Sequence, residues 1–183
     1  MRQSQYKVPA MKEALQVINK MQAAGVIGKY AIGGAMAAVY YLEAISTIDV
    51  DIFICFDDLK SSSPFLPLEP IFDHLRPLGY KVKGEYVEIE GELVQFLPTG
   101  DPLLKEALDN AVEVMFFDVP SRVMRAEHLM AIALRLGRSK DIARVEKFVD
   151  DLPELDETKL VEILARHGLS DKWAKFKKER TAT

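Results

Sequence analysis

Two aspartates separated by one residue, Asp49-Val50-Asp51, stand near the head of the run IDVDIFICF. In a strand, side chains two apart share one face, so both carboxylates would project together from a rigid sheet. Held that way they repel each other and resist burial. A divalent cation that prefers oxygen ligands, such as Mg2+, relieves both problems. One or two such ions can align a triphosphate and neutralise charge as a phosphorus–oxygen bond breaks. Upstream, Gly33-Gly34 falls between a short apolar run and a helix-compatible stretch. Paired glycines there allow a tight turn and let a phosphate approach the backbone amides of a helix start. Each feature alone has an ordinary structural reading. Glycine pairs make turns, and Glu88, Glu90 and Glu92 show the same acid–x–acid alternation on what reads as a solvent face. The order carries more: a glycine pair, one helix, then two aspartates on the next strand.

The elements around these residues follow from periodicity and turn chemistry. Met11, Leu15, Ile18 and Met21 recur at helical spacing and predict a helix over residues 9–24, stopped by Gly25. A short strand is expected over 29–32, a helix over 35–44 and a strong strand over 48–56. Residues 61–70, with three serines and three prolines, read as loop. A short helix at 71–76 precedes three strands at 80–83, 86–90 and 93–97, with Gly84 and Gly91 at the turns. Asp101-Pro102 is a helix start, an acid at the cap and proline at the first helical position. That helix reaches Asn110, and residues 112–119 alternate as another strand. After Pro120 the segments 126–136, 140–149, 158–166 and 172–180 all have helical spacing, separated by Gly137, Pro153 and Gly168. The expected organisation is an α/β (α+β) domain over 1–120, with a small mixed sheet, and a C-terminal helical bundle over 121–183.

Composition narrows the class. The chain has 183 residues, 49% of them apolar, which supports a sizeable core and excludes a disordered chain. No apolar run approaches the roughly 18–20 residues of a membrane span, and the first residues lack a signal peptide's apolar stretch. The single cysteine, Cys55, cannot form an internal disulfide and reads as a small core residue, so a cytoplasmic location is expected. His74, His128 and His167 have no metal-ligand spacing. The net charge of −4 hides an asymmetry: residues 84–118 hold nine acids and one base, residues 122–147 seven bases and three acids. The basic third fits an anionic partner as well as ordinary solvated helix faces.

The run YAIGGAMAAVYYLEAISTIDVDIFI, residues 30–54, resembles the nucleotidyltransferase superfamily, whose signature is a Gly-Gly or Gly-Ser turn followed by Asp-x-Asp on the next strand. RAEHLMAIALRLGRSKDIARVEKFV, residues 125–149, is similar to the helical segment of the minimal, AbiEii toxin-like branch, with Glu127, Arg138, Lys140 and Asp141 at its motif positions. The resemblance implies a nucleotidyltransferase-like fold and transfer of a nucleoside monophosphate from a triphosphate to a hydroxyl, releasing pyrophosphate. Asp49 and Asp51 would be the catalytic metal ligands for Mg2+. Gly33 and Gly34 would cradle the triphosphate, with Lys140 and Arg138 near phosphate or acceptor and the Thr47 hydroxyl near a phosphate or the metal. It also implies RNA, such as the end of a tRNA, as acceptor and a cognate antitoxin protein as partner.

The chain departs from the pattern at several places. Where active members carry a third carboxylate, this sequence reads Val94-Gln95-Phe96-Leu97. Gln95 can coordinate through its carbonyl oxygen but cannot act as a base. Glu88 or Glu90 on the neighbouring strand is a candidate substitute. A lysine common in the branch is replaced by Ala133, and Ala44, Ile45 and Ser46 stand where an arginine is often found. The alternative function is therefore a catalytically impaired module that binds nucleotide, RNA or a partner. Outside the motif, His128 could serve as a base or sit at the surface. Trp173 and Phe176, among lysines, suit either stacking on RNA or pinning the last helix to the body. Asp141 also suits a helix start, with Ser139 as its cap.

Overall fold

The structure is a computed structural model that describes residues 8–42, 47, 49–55 and 68–181. Seven strands form one mixed sheet in the order β3-β4-β5-β2-β1-β7-β6. They are β1 (Tyr30–Ile32), β2 (Asp49–Cys55), β3 (Lys81–Lys83), β4 (Tyr86–Ile89), β5 (Glu92–Thr99), β6 (Val112–Phe116) and β7 (Val119–Val123). Among the described residues, eight α-helices accompany them: α1 (Val8–Ala23), α2 (Gly34–Tyr41), α3 (Glu69–Leu75), α4 (Pro102–Asp109), α5 (Ala126–Leu136), α6 (Ser139–Asp151), α7 (Glu157–Arg166) and α8 (Ser170–Thr181). The mixed α/β sheet with a helical C-terminal part is the architecture expected from sequence. Residues 61–67 of the loop expected over 61–70, the positions of Ala44, Ile45 and Ser46, and the outermost residues 48 and 56 of the β2 segment lie outside the described residues, while Glu69 and Pro70, expected in that loop, instead open α3.

β2 is the centre of the site and of the sheet. It runs antiparallel to β1 and parallel to β5, with Asp49 opposite Leu93 and Asp51 opposite Gln95. Val50, Ile52 and Ile54 are fully buried in the core on the other face. One-residue slippage would bury both aspartates among these side chains, so the alternation pins the register. α1 lies over the sheet with Met11, Leu15, Ile18 and Met21 all inaccessible to solvent, as the helical spacing requires. α4 starts as its residues dictate: Asp101 accepts from the Leu104 amide at 3.1 Å, and Pro102 needs no partner at the first helical position.

One strand was not expected. Residues 112–119 are not a single strand but the first arm of a hairpin, and its second arm, β7, crosses residue 120. The two-residue connection Phe117-Asp118 has φ of +49° and +59°, the left-handed pair that a tight hairpin needs, yet it carries neither glycine nor asparagine. Pro120 sits inside β7, but β7 meets β1 at Val123 alone, so the missing N–H falls beyond that ladder. No helix among the described residues is long and apolar enough to cross a membrane.

Candidate functional site

Asp49 and Asp51 are half-buried on one face of β2, as period-two alternation demands. Burial, and next the neighbouring Asp49, push the Asp51 carboxyl up to about 6. Arg144, Lys140 and Arg138 pull it the other way without restoring the ordinary value. The Thr47 hydroxyl donates to the Asp49 carboxylate at 2.7 Å, so it orients that side chain.

The glycine pair is fitted to this carboxylate. Gly33 caps α2, and its amide donates to the Asp51 carbonyl at 2.9 Å. Gly34 opens the helix at a φ of +58°. A Cβ on Gly34 would overlap the Asp51 carboxylate oxygen and come within 2.9 Å of its Cγ. On Gly33 it would run into the Phe53 ring, 2.5 Å from Cδ2. The backbone thus reaches Asp51 as closely as a chain can, and only glycine allows it.

Gly34, Thr47, Asp49 and Asp51 line a cleft of about 950 Å³ whose opposite wall comes from the bundle. Arg135 and Leu136 at the end of α5, then Arg138, Lys140, Asp141, Arg144 and Lys147, form that wall. The structure therefore brings Gly34, Thr47, Asp49, Asp51, Gln95, Arg138 and Lys140 to one cleft, and leaves Gly33 behind Gly34 as its backbone support. Asp141 is completely buried. It accepts two hydrogen bonds from Arg138, at 2.5 and 3.2 Å, and lies 3.8 Å from Arg144. Ser139 does not cap α6; Arg138 occupies the cap position and makes no side-chain cap bond. The Asp141 side chain is turned toward the two arginines, an arrangement that needs tertiary structure.

A third carboxylate is absent from the place opposite Asp51, which Gln95 fills. Glu88 shares that face of the sheet but stands beyond β5 and is paired with Lys83 at 2.5 Å. Glu90 lies in the turn after β4 and accepts from the Tyr80 hydroxyl at 2.6 Å. Neither lines the cleft; Glu85 and Tyr86, which the sequence did not single out, do. Among the described residues no group of three histidine, cysteine or acidic side chains comes together as a metal cage. Two carboxylates with a carbonyl donor beside them, one carboxyl held well above its usual range, still fit a hard dication better than they fit empty space.

Residues outside the cleft resolve differently. His128 is a buried core histidine, 3.3 Å from Glu106, which also meets His167 and Arg166 at 2.7 Å each. These contacts tie α4, α5 and α7 together. Trp173 and Phe176 are buried and stacked, with ring centroids 5.2 Å apart, and so pin α8 to the body. Arg144 and Arg135, the latter bound to Asp101 at 2.6 Å, were missed as parts of the cleft wall. The basic excess of residues 122–147 was the available signal.

No known family profile matches the chain, and no curated protein matches it in sequence. Solved structures do match. The solution structure of the antibiotic-resistance factor ANT(2'')-Ia superposes at a TM-score of 0.55 with 15% identity, over 97% of this chain and 98% of that one. The crystal structure of ANT(2'')-Ia with adenylyl-2''-tobramycin gives 0.51 with 14% identity, over 95% and 98%. An antigenic nucleotidyltransferase-like protein from Paracoccidioides brasiliensis gives 0.54 with 15% identity, over 92% and 93%. The shared fold is that of nucleotidyltransferases.

Proposed function

We propose that this chain is a Mg2+-dependent nucleotidyltransferase that moves a nucleoside monophosphate from a nucleoside triphosphate to a hydroxyl acceptor. The observation that carries the reading is the fit of Gly34 against Asp51, across one cleft from a cationic helix wall. Asp49 and Asp51 would hold the metal, with the Gln95 carbonyl as a neighbouring donor. Bound there, Mg2+ would neutralise charge on the triphosphate and favour departure of pyrophosphate. Gly34, backed by Gly33, brings the start of α2 to the cleft, where a phosphate could approach. Arg138 and Lys140 supply positive charge on the far side, where it stabilises the leaving pyrophosphate. The acceptor oxygen bonds to the α-phosphorus, the bond from that phosphorus to the bridging oxygen breaks, and the acceptor proton leaves to solvent or to a cleft carboxylate such as Glu85.

The acceptor we favour is RNA, such as the end of a tRNA. The basic excess of the C-terminal third and the AbiEii-like motif support it, and the same resemblance suggests a cognate antitoxin as partner. The experiment is incubation with each labelled triphosphate and total RNA in the presence of Mg2+. Label transferred to RNA, lost in Asp49→Asn while the variant still folds, supports the reading. An Asp49→Asn protein that loses stability but, while folded, binds nucleotide as wild type does would make the aspartates structural. A second reading is favoured by Gln95: with no carboxylate opposite Asp51, the chain binds triphosphate and does not turn it over. Metal-dependent thermal stabilisation by a triphosphate without pyrophosphate release distinguishes it.

A further inference from the structure

On α6, Lys140, Ala143, Arg144 and Lys147 all face the cleft. Spacings of three and four residues place them on one side of the helix, a stripe about 10 Å long at the usual rise per residue. The cations of this wall are not equivalent. Arg135 is held by Asp101, Arg138 by Asp141 and Lys147 by Asp151. Arg144 is different: its side chain is only 18% exposed, and it makes no hydrogen bond among the described residues. Its nearest carboxylate, Asp141, lies 3.8 Å away and already accepts from Arg138 with both oxygens. A guanidinium that lines the cleft with no hydrogen-bond acceptor among the described residues can give its five N–H donors to an anion that enters. Its planar fork matches two phosphate oxygens at once, which an ammonium cannot do. Beside it, Ala143 adds almost no bulk to the stripe, leaving room along the helix surface.

We propose that Arg144 is the central anchor of a polyphosphate track along α6, flanked by Lys140 and Lys147, with Asp141, which binds Arg138 and lies 3.8 Å from Arg144, as the positioning residue. The track grips the phosphate chain of a triphosphate and the pyrophosphate it yields. This rests on the nucleotidyltransferase reading for its biological ligand. Its chemistry requires neither a nucleobase nor a metal.

The test is calorimetric titration of the full chain with inorganic tripolyphosphate in EDTA. Wild type binds, Arg144→Gln weakens binding at least 30-fold, and Arg144→Lys at least 5-fold because it keeps charge and loses the fork. Lys175→Gln, an exposed cation of α8, stays within 3-fold of wild type. Asp141→Asn weakens binding about 10-fold; where it does not fold, the two Arg144 variants decide alone. The proposal is overturned if wild type does not bind tripolyphosphate, if Arg144→Gln lowers only the melting temperature, or if Lys175→Gln is equally damaging. Should tripolyphosphate bind through Arg144 while no Mg2+–triphosphate is bound or consumed, the track stands and the transferase reading falls. The reverse result, triphosphate turnover indifferent to Arg144, sinks the track and leaves the transferase.

Discussion

Replacing Gly34 by alanine tests the coupling between the turn and the acid. Two costs can be separated. Alanine at a φ of +58° is strained by about 1–2 kcal/mol in the left-handed region. The new Cβ also overlaps the Asp51 carboxylate and lies 2.9 Å from Cγ, a contact that a half-buried side chain on a central strand can relieve only by shifting. Overpacking of that kind adds about 1–3 kcal/mol. At about 2–4 °C per kcal/mol for a chain of this size, the total lowers the melting temperature by roughly 4–20 °C. Gly25→Ala is the control: its φ is +70° and a Cβ there meets nothing within 4 Å, so it shows the backbone cost alone. The decisive measurement is a double-mutant cycle by urea unfolding. In an Asp51→Ala background the closest remaining atom is Cβ, at 3.3 Å, so most of the excess cost of Gly34→Ala over Gly25→Ala should disappear. If Gly34→Ala costs the same with and without the Asp51 carboxylate, or no more than Gly25→Ala in the wild-type chain, the close fit between glycine and acid does not exist as described.

Three further outcomes are expected. Because burial and Asp49 raise the Asp51 carboxyl to about 6, the folded state holds that proton more tightly than the unfolded chain does. The contribution of Asp51 to metal-free stability should therefore be fully present below the ordinary carboxylate range and fall by at most about 3 kcal/mol as pH rises to just above 6. Thermal melts across pH should show this slope in wild type and lose it in Asp51→Asn, and Mg2+ at neutral pH should stabilise only the former. Gln95→Asp puts a third carboxylate opposite Asp51; magnesium affinity by calorimetry should rise about tenfold or more, while the metal-free protein loses about 1–2 kcal/mol to repulsion. Glu106→Gln should cost about 1–3 kcal/mol by weakening the contacts to Arg166, His167 and His128, with nucleotide binding unchanged. Arg166, His167 and His128 hold the Glu106 carboxyl down at about 2 despite opposing desolvation, so its contribution is present above the ordinary glutamate range and disappears as pH falls toward 2.

The path from residues to site is uneven. Asp49 and Asp51 were legible as a pair on one face because alternation in a strand is set by backbone geometry, whereas Gln95 was reached only through the resemblance and its place opposite Asp51 came from the strand pairing. The Asp101 cap, with Pro102, was legible because capping joins residues within one turn of chain. β7 was not, because the turn before it puts Phe117, a residue that rarely adopts a positive φ, in the left-handed region ahead of Asp118, and Phe117 is held there by burial. His128 was not, because its partner Glu106 comes from another helix 22 residues away.

The sequence by itself determined which face of β2 carries the acids, that glycines precede them, and that a basic helical segment follows a mixed sheet. These are properties of neighbours along the chain, governed by period, propensity and turn chemistry. Only the tertiary structure decided that Gly34 lies against Asp51, that Asp141 turns to Arg138 instead of the helix end, and that Arg144 is left with its donors facing the cleft. Steric fit and charge pairing depend on distances between segments far apart in the chain, and those distances are set by how the whole core packs.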